Sequence, residues 1–572
     1  MTRRSLVIAQ VLLSSAFLAC LPEGALADGK HGGGSGSIRL QHLWRKKTGD
    51  FETGAAEIAA YDKKTERLFV INAQFSSVDV LKLIGGAKAA SLDLSDLGSP
   101  NSVAVNNGLV AVAIEAPEKT DLGVVALYDS KSLKRLNVVG VGALPDMVAF
   151  TPNGKKVLVA NEGEPNEEYT IDPEGSVSII DISSGAKNAT VTTASFTSYN
   201  AKKAELLAAG IRIFGPETSV DEPDDIATVA QDLEPEYITF RGNGTAIVTL
   251  QEANAFATID IGTATVTDIQ PLGTKDHSLA GNELDASDSD GGINIKSWPV
   301  KGFYSPDTIA SYTVGGKTYI VSANEGDTRG WDGFNEEKRI GGVKLDETVF
   351  PDAAELQKPE NLGRLKITST LGGTVVVSPD GEETTVYSEL YSFGGRSFSI
   401  WTYNNKGKLV QVSDSGSDIE RITAEELPND FNSDNAENDS FDSRSDDKGP
   451  EPEALAIGEI EGKTYAFVGL ERTGGIMVYD ISDPASPKFI EYRIDRNFKA
   501  ALDQGNHSDA GPECIAFIPA ADNPLKAPLI VVANEITGTT SLYRVRTPSQ
   551  KPDLIDLYVG ILEWLTELFS KW

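Results

Sequence analysis

Residues 145–165 read PDMVAFTPNGKKVLVANEGEP. An acid follows the proline (Asp146), apolar and polar residues alternate to Phe150, Asn153-Gly154 marks a turn, and a second run ends on Glu162. Period-two alternation on either side of an Asn-Gly turn predicts a β-hairpin, here with a carboxylate at each of its two ends. The phrase returns as PEYITFRGNGTAIVTLQEANA from Pro235 and as PDTIASYTVGGKTYIVSANEGD from Pro306. Looser copies begin at Ala55, Pro100, Pro452 and Pro512, making seven in all. A second strand pair usually follows, as in GVVALYDS from Gly123, GSVSIIDI from Gly175 and GGIMVYDI from Gly474. Four strands per unit of roughly 40–50 residues is the period of a propeller blade, and Asn101 to Asp146 spans 45. The expectation is an all-β fold, a seven-bladed β-propeller over residues 38–546 with long loop insertions. The strand from Ile38 to Trp44 lacks a partner in the first copy. Placed beside the last copy it would join the chain ends and remove two open sheet edges.

Three spacings exceed a bare blade. Asp146 to Glu236 contains the helical stretch YNAKKAELLAAGIRIFG, and Glu236 to Asp307 contains the Asp-rich loop KDHSLAGNELDASDSDGGINIKSWPV. The largest separates Asp307 from Glu453 and includes PNDFNSDNAENDSFDSRSDDKGPEPE. Loops this long inside one domain are usually functional. The N-terminus carries Arg3 and Arg4, an apolar run from Leu6 to Ala19, and Ala25-Leu26-Ala27. That pattern predicts a signal peptide over residues 1–27 and a secreted or periplasmic protein. TRRSLV partly matches a twin-arginine signal, with Leu6 in the aromatic's place, so both export routes stay open.

No other apolar run reaches the roughly 18 residues that span a membrane. Only Cys514 follows the cleavage point, which excludes an intrachain disulfide and suits a buried structural thiol. A net charge of −33 repels nucleic acid and anionic lipid. In DLIDLYVGILEWLTELFSKW, Leu554, Leu557, Ile561, Leu565 and Leu568 recur at helical spacing. They predict an amphipathic helix over residues 553–572 that packs against the propeller or a partner.

Aligned, the repeats give two columns. The first holds Glu57, Asn101, Asp146, Glu236, Asp307, Glu453 and Glu513; the second holds Glu115, Glu162, Glu252, Glu325, Glu471 and Glu535, with Ala73 as the exception. Acids are about one residue in seven overall, so composition alone does not fill two columns. The start of one hairpin strand and the end of the next lie at the same end, and in a propeller the first strand of each blade lines the channel. Some twelve carboxylates should therefore converge on one mouth, where like charges cannot all ionise without compensation. Protons, basic partners and bound cations are the available solutions. Oxygen-only ligands select hard ions, Ca²⁺ above all. The alternative for each acid is capping of neighbouring backbone amides. Asp285, Asp288 and Asp290 sit at a calcium-loop-like spacing but lack the terminal glutamate of an EF-hand. Arg329, Arg339, Arg396, Arg444, Lys448 and Arg472 fall in the same motifs, either to pair with the ring or to bind phosphate. Four histidines, two of them near the N-terminus, argue against a zinc site, and no GxSxG elbow is present.

The phrases NEGEPNEEYTIDPEGSVSIIDI, NEGDTRGWDGFNEEKRI, LYSFGGRSFSIW, DSRSDDKGPEPEALAIG and GLERTGGIMVYDI resemble the choice-of-anchor I family. These are secreted bacterial propellers related to the sea-urchin mesenchyme-specific cell-surface glycoproteins. The resemblance runs from Ile38 to Val545. Members are sometimes labelled alkaline phosphatases, and animal members are associated with calcified skeleton. The resemblance implies one of two functions. One is a Ca²⁺-dependent phosphomonoesterase, with metal held by the mouth carboxylates and phosphoryl charge countered by Arg329, Arg396 and Arg444. The other is a non-catalytic calcium-binding surface or scaffold protein. Fold alone does not choose between them.

Overall fold

The period-two stretches form strands in a computed structural model that describes residues 37–216, 227–503 and 508–550. The expected signal peptide and C-terminal helix lie outside those residues. The chain divides into a large unit, Leu40–Val545, and a second made of Met1–Arg39 and Arg546–Trp572. The large unit is an all-β propeller. Among the described residues there are seven four-stranded sheets. Their first strands are Ala55–Asp62, Ser99–Asn106, Pro145–Phe150, Pro235–Phe240, Ile309–Val314, Pro452–Ile460 and Pro512–Ile518. Each touches the next in that order, and the last touches the first, so the ring is closed. Residues 40–47 of the strand Arg39–Lys47 complete the last sheet beside Thr539–Arg546. One edge of that sheet is thereby covered, as closure requires.

Both faces of the inner strands are apolar because each sheet is sandwiched between neighbours. Leu158, Val177, Val248 and Ile259 pack in one cluster across two sheets, joined there by Leu206 of the helix Lys203–Ala209. That helix is the one foreshadowed by KAELLAA; it ends at Gly210, whose φ of 93° is the left-handed stop that glycine takes without strain. Cys514 is buried between the first and last sheets, with its thiol 3.9 Å from the carbonyl of Ala59.

The insertions read as polar loops in the sequence, yet they have a core of their own. Leu284, Trp298 and Val300 from the Asp-rich loop pack with Ile340, Leu362, Leu365 and Tyr387. The latter belong to an excursion between the strands Lys317–Asn324 and Ser397–Tyr403 of a single sheet. A second lobe thus stands on the propeller.

Candidate metal centre

Register explains why the two acid columns meet. Pro145 pairs with Asn161, Pro235 with Leu250, Pro452 with Leu470 and Pro512 with Asn534. The second-column glutamate comes one or two residues after that partner, and the first-column acid one residue after the proline. In each of these sheets the register slips just after the proline. Such a bulge bends the strand and re-aims its side chain. Backbone bonds lock the hairpin ends: Glu162, Glu471 and Glu535 donate their N–H to the carbonyls of Leu144, Glu451 and Gly511, each at 2.8 Å. Those three acceptors stand two residues before a first-column acid and share a left-handed backbone, with φ of 43°, 53° and 68°.

All seven first-column residues line one cavity of about 330 Å³, together with Glu162, Glu325, Glu535 and Asp327. Ten of its sixteen lining residues are carboxylates, and none is Lys, Arg or His. Within it the ligand oxygens of Asp307, Glu325 and Glu453 lie within 4.8 Å of one another. A second group at the same spacing, Glu325, Glu451 and Glu471, shares Glu325.

The two groups differ in their partners. Glu451 takes Arg444 at 2.6 Å, Lys448 at 3.0 Å and Arg472 at 3.2 Å. Glu471 takes Arg472 at 3.3 Å and the amide of Asn435 at 2.7 Å. Among the described residues Asp307 and Glu453 form no ion pair, and Glu453 Oε2 is buried with no hydrogen-bond partner. The same is true of single oxygens of Glu234, Glu236 and Glu252. Burial, then the neighbouring Glu513 and Glu471, pushes the Glu453 carboxyl well up. Burial, then Glu325 and Asp146, does the same for Asp307. Glu57, Glu162, Glu236 and Glu513 are likewise raised, burial first. Glu252 reaches about 8, through burial and then Asp327. Asp146 reaches about 7, through burial and then Glu164 and Glu115, although part of it still faces the water of the channel. An all-oxygen donor set with buried, unpartnered carboxylate oxygens fits a hard cation.

The remaining expected residues go elsewhere. Asp285 is buried; its oxygens accept from the backbone N–H of Ser287 and Asn294, and burial lifts its carboxyl to about 7. Asp288 is clasped by Arg364 at 2.6 and 2.8 Å. Asp290 accepts from Gly292 N–H at 3.1 Å, and its Oδ2 is buried and unpartnered. These three do not form one of the tight acid groups among the described residues. Nor do the arginines line the cavity. Arg329 is buried against Asp232 and bonds Glu234 at 2.6 Å. Arg396 bonds Glu420 at 2.6 Å and the carbonyls of Asp285, Ser445 and Asp447 at 2.6–2.8 Å. Arg444 and Arg472 do reach members of a tight group, both at Glu451 and Arg472 also at Glu471.

Glu451, Glu234, Glu164 and Asp327 were not singled out in the sequence. Their signal is an acid doublet at spacing two, in NEGE, LEPE, NEGD and PEPE. In each, one member belongs to a column and the other flanks it.

A family model described as the choice-of-anchor I domain matches residues 57–484. Gigasin-3a of Magallana gigas is 34% identical over 170 residues, 28% of this chain and 59% of that protein. The mesenchyme-specific cell surface glycoprotein of Strongylocentrotus purpuratus is 26% identical over 335 residues, 53% of this chain and 42% of that one. The chain thus spans about half the length of these curated relatives. Two solved structures align over most of the chain. Streptogramin B lyase does so at a TM-score of 0.41 and 8% identity, covering 89% of this chain and 98% of that one. Hydrazine synthase of Kuenenia stuttgartiensis does so at 0.42 and 12%, covering 88% and 98%. Likenesses at that level add nothing to the fold read from the sheets.

Proposed function

The chain belongs to the choice-of-anchor I family, and we propose that the mouth of its propeller channel binds a hard divalent cation, Ca²⁺ in the first instance. The observation that carries this reading is the group Asp307, Glu325 and Glu453, with oxygens within 4.8 Å and Glu453 Oε2 buried without a partner. A bound cation would let Asp307 and Glu453 ionise, which burial and their like-charged neighbours otherwise oppose. Calcium takes roughly six to eight oxygens. Three carboxylates leave positions for water or for the side-chain oxygen of Gln251, which adjoins Glu325 in the same cavity. Family membership is consistent with a secreted or surface protein, and among the described residues no helix is long and apolar enough to cross a membrane. The sea-urchin relative is described as a cell-surface glycoprotein, which supports placing this site at a cell surface. The test is calorimetric titration of the metal-stripped protein with Ca²⁺. Heat of binding, lost in Glu453→Gln, is expected. No binding up to millimolar Ca²⁺ would favour protonated, backbone-capping carboxyls instead.

A second reading is Ca²⁺-dependent hydrolysis of phosphomonoesters. Arg444 and Arg472 favour it, since both stand beside the second tight acid group and are still partly exposed, at 18% and 27%. Cleavage of p-nitrophenyl phosphate that is abolished by a chelator and restored by Ca²⁺ would support it. Absence of any metal-dependent cleavage leaves the non-catalytic surface role.

A further inference from the structure

Glu325 belongs to both tight acid groups, and only one of them is neutralised by the chain itself. In the group Glu325, Glu451 and Glu471, the ammonium of Lys448 lies 2.8 Å from Glu325, 3.0 Å from Glu451 and 3.7 Å from Asp327. Arg444 and Arg472 supply two further positive charges, so three cations face three carboxylates. We propose that Lys448 is a tethered cation filling the second of two adjacent cation positions, so that the mouth accepts one exchangeable ion where its carboxylates alone would hold two.

The placement of Lys448 is built, not incidental. The lysine sits at the end of a turn-rich segment in the largest insertion, and its side chain is only 9% exposed. Carboxylate oxygens of Glu325, Glu451 and Asp327 surround the buried ammonium. The turn is clamped from beneath by Arg396, which donates to the carbonyls of Ser445 at 2.8 Å and Asp447 at 2.7 Å. Gly449 follows with φ of 69°, and a Cβ there would meet the Arg396 side chain at 3.0 Å. Arg396 is therefore a positioning residue for Lys448. Glu325, held by Lys448 through one oxygen and by Gln251 at 2.9 Å through the other, couples the two positions.

This inference rests on the cation reading of the mouth, and one experiment separates the two. The full chain, metal-stripped, is titrated with Ca²⁺ by calorimetry as wild type, Lys448→Met and Lys448→Arg. About one additional equivalent of Ca²⁺ is expected in Lys448→Met and none in Lys448→Arg, since the oxygens of Glu325 and Glu451 that face the ammonium are open to an ion, with water completing its shell, only when the ammonium is gone. Lys448→Met should also melt below wild type in chelator and recover in Ca²⁺ by more than wild type gains. A folded Lys448→Met with unchanged stoichiometry overturns the proposal. So does a Lys448→Met chain that Ca²⁺ cannot restore to the folded state, because the ion then does not replace the ammonium. If wild type binds no Ca²⁺ while Lys448→Met binds about one, the first position fails and this one stands.

Discussion

Glu451 and Glu453 stand two residues apart, are the same residue type, and are 0% and 8% exposed. Burial raises the carboxyl of each. At Glu451, Lys448, Arg444 and Arg472 outweigh it and hold the group down at about 2. At Glu453 the nearest charges are Glu513, Glu471, Glu325 and Asp307, all of the same sign, and the group is pushed well up. One side of the mouth is thus a closed ion-pair network and the other an open set of acids. Depth does not distinguish them; the sign of the neighbours does.

The largest expected effect comes from breaking the closed side. Glu451→Gln leaves Arg444, Arg472 and Lys448 without their shared counter-charge, and removing one partner from a buried network typically costs about 3–5 kcal/mol. Guanidinium denaturation should show that loss. Glu453→Gln is expected to leave the metal-stripped protein as stable as wild type or more so, because it removes a repelled charge. Equal losses in both variants would erase the comparison.

Next in size is the response to metal. Ca²⁺ should raise the melting temperature of wild type and a chelator lower it, by an amount set by how far free Ca²⁺ exceeds its dissociation constant. Asp307→Asn and Glu453→Gln should flatten that response. Thermal scans across a Ca²⁺ series check this.

A smaller effect divides the two sides by pH. Glu451 is depressed in the folded state, so its contribution is present above the ordinary value near 4.5 and is lost as pH falls toward about 2. Asp146, at about 7, and Glu252, at about 8, are raised. The folded protein therefore holds protons that the unfolded chain releases, and stability falls as pH climbs from about 4 to about 8. The metal-stripped protein should be most stable near the start of that climb, and Ca²⁺ should flatten the alkaline limb. A metal-stripped protein equally stable at both ends of the climb would contradict the open side. The smallest effect is at the Asp-rich loop. Arg364 keeps Asp446 at 3.0 Å when Asp288 is lost, so Asp288→Asn should cost no more than about 1 kcal/mol and leave Ca²⁺ binding unchanged in the same titration.

The repeats alone determined the propeller and the convergence of the acids. Alternation with period two, a turn between the strands and an acid or amide at the start of each copy are local, and closing the hairpins brings the columns to one end whatever the insertions do. The lobe was not legible, because Leu284, Trp298 and Tyr387 are scattered among polar residues without a repeating period. The division of the mouth into paired and unpaired sides was not legible either. Lys448 reaches Glu325 across 123 positions, Arg329 reaches Glu234 across 95, and Arg396 reaches the carbonyl of Asp285 across 111. A carboxylate's charge is set by groups a few ångströms away. Insertions, which follow no period, decide which groups those are. The sequence determined where the acids gather, and only the tertiary structure decided which of them already have a cation.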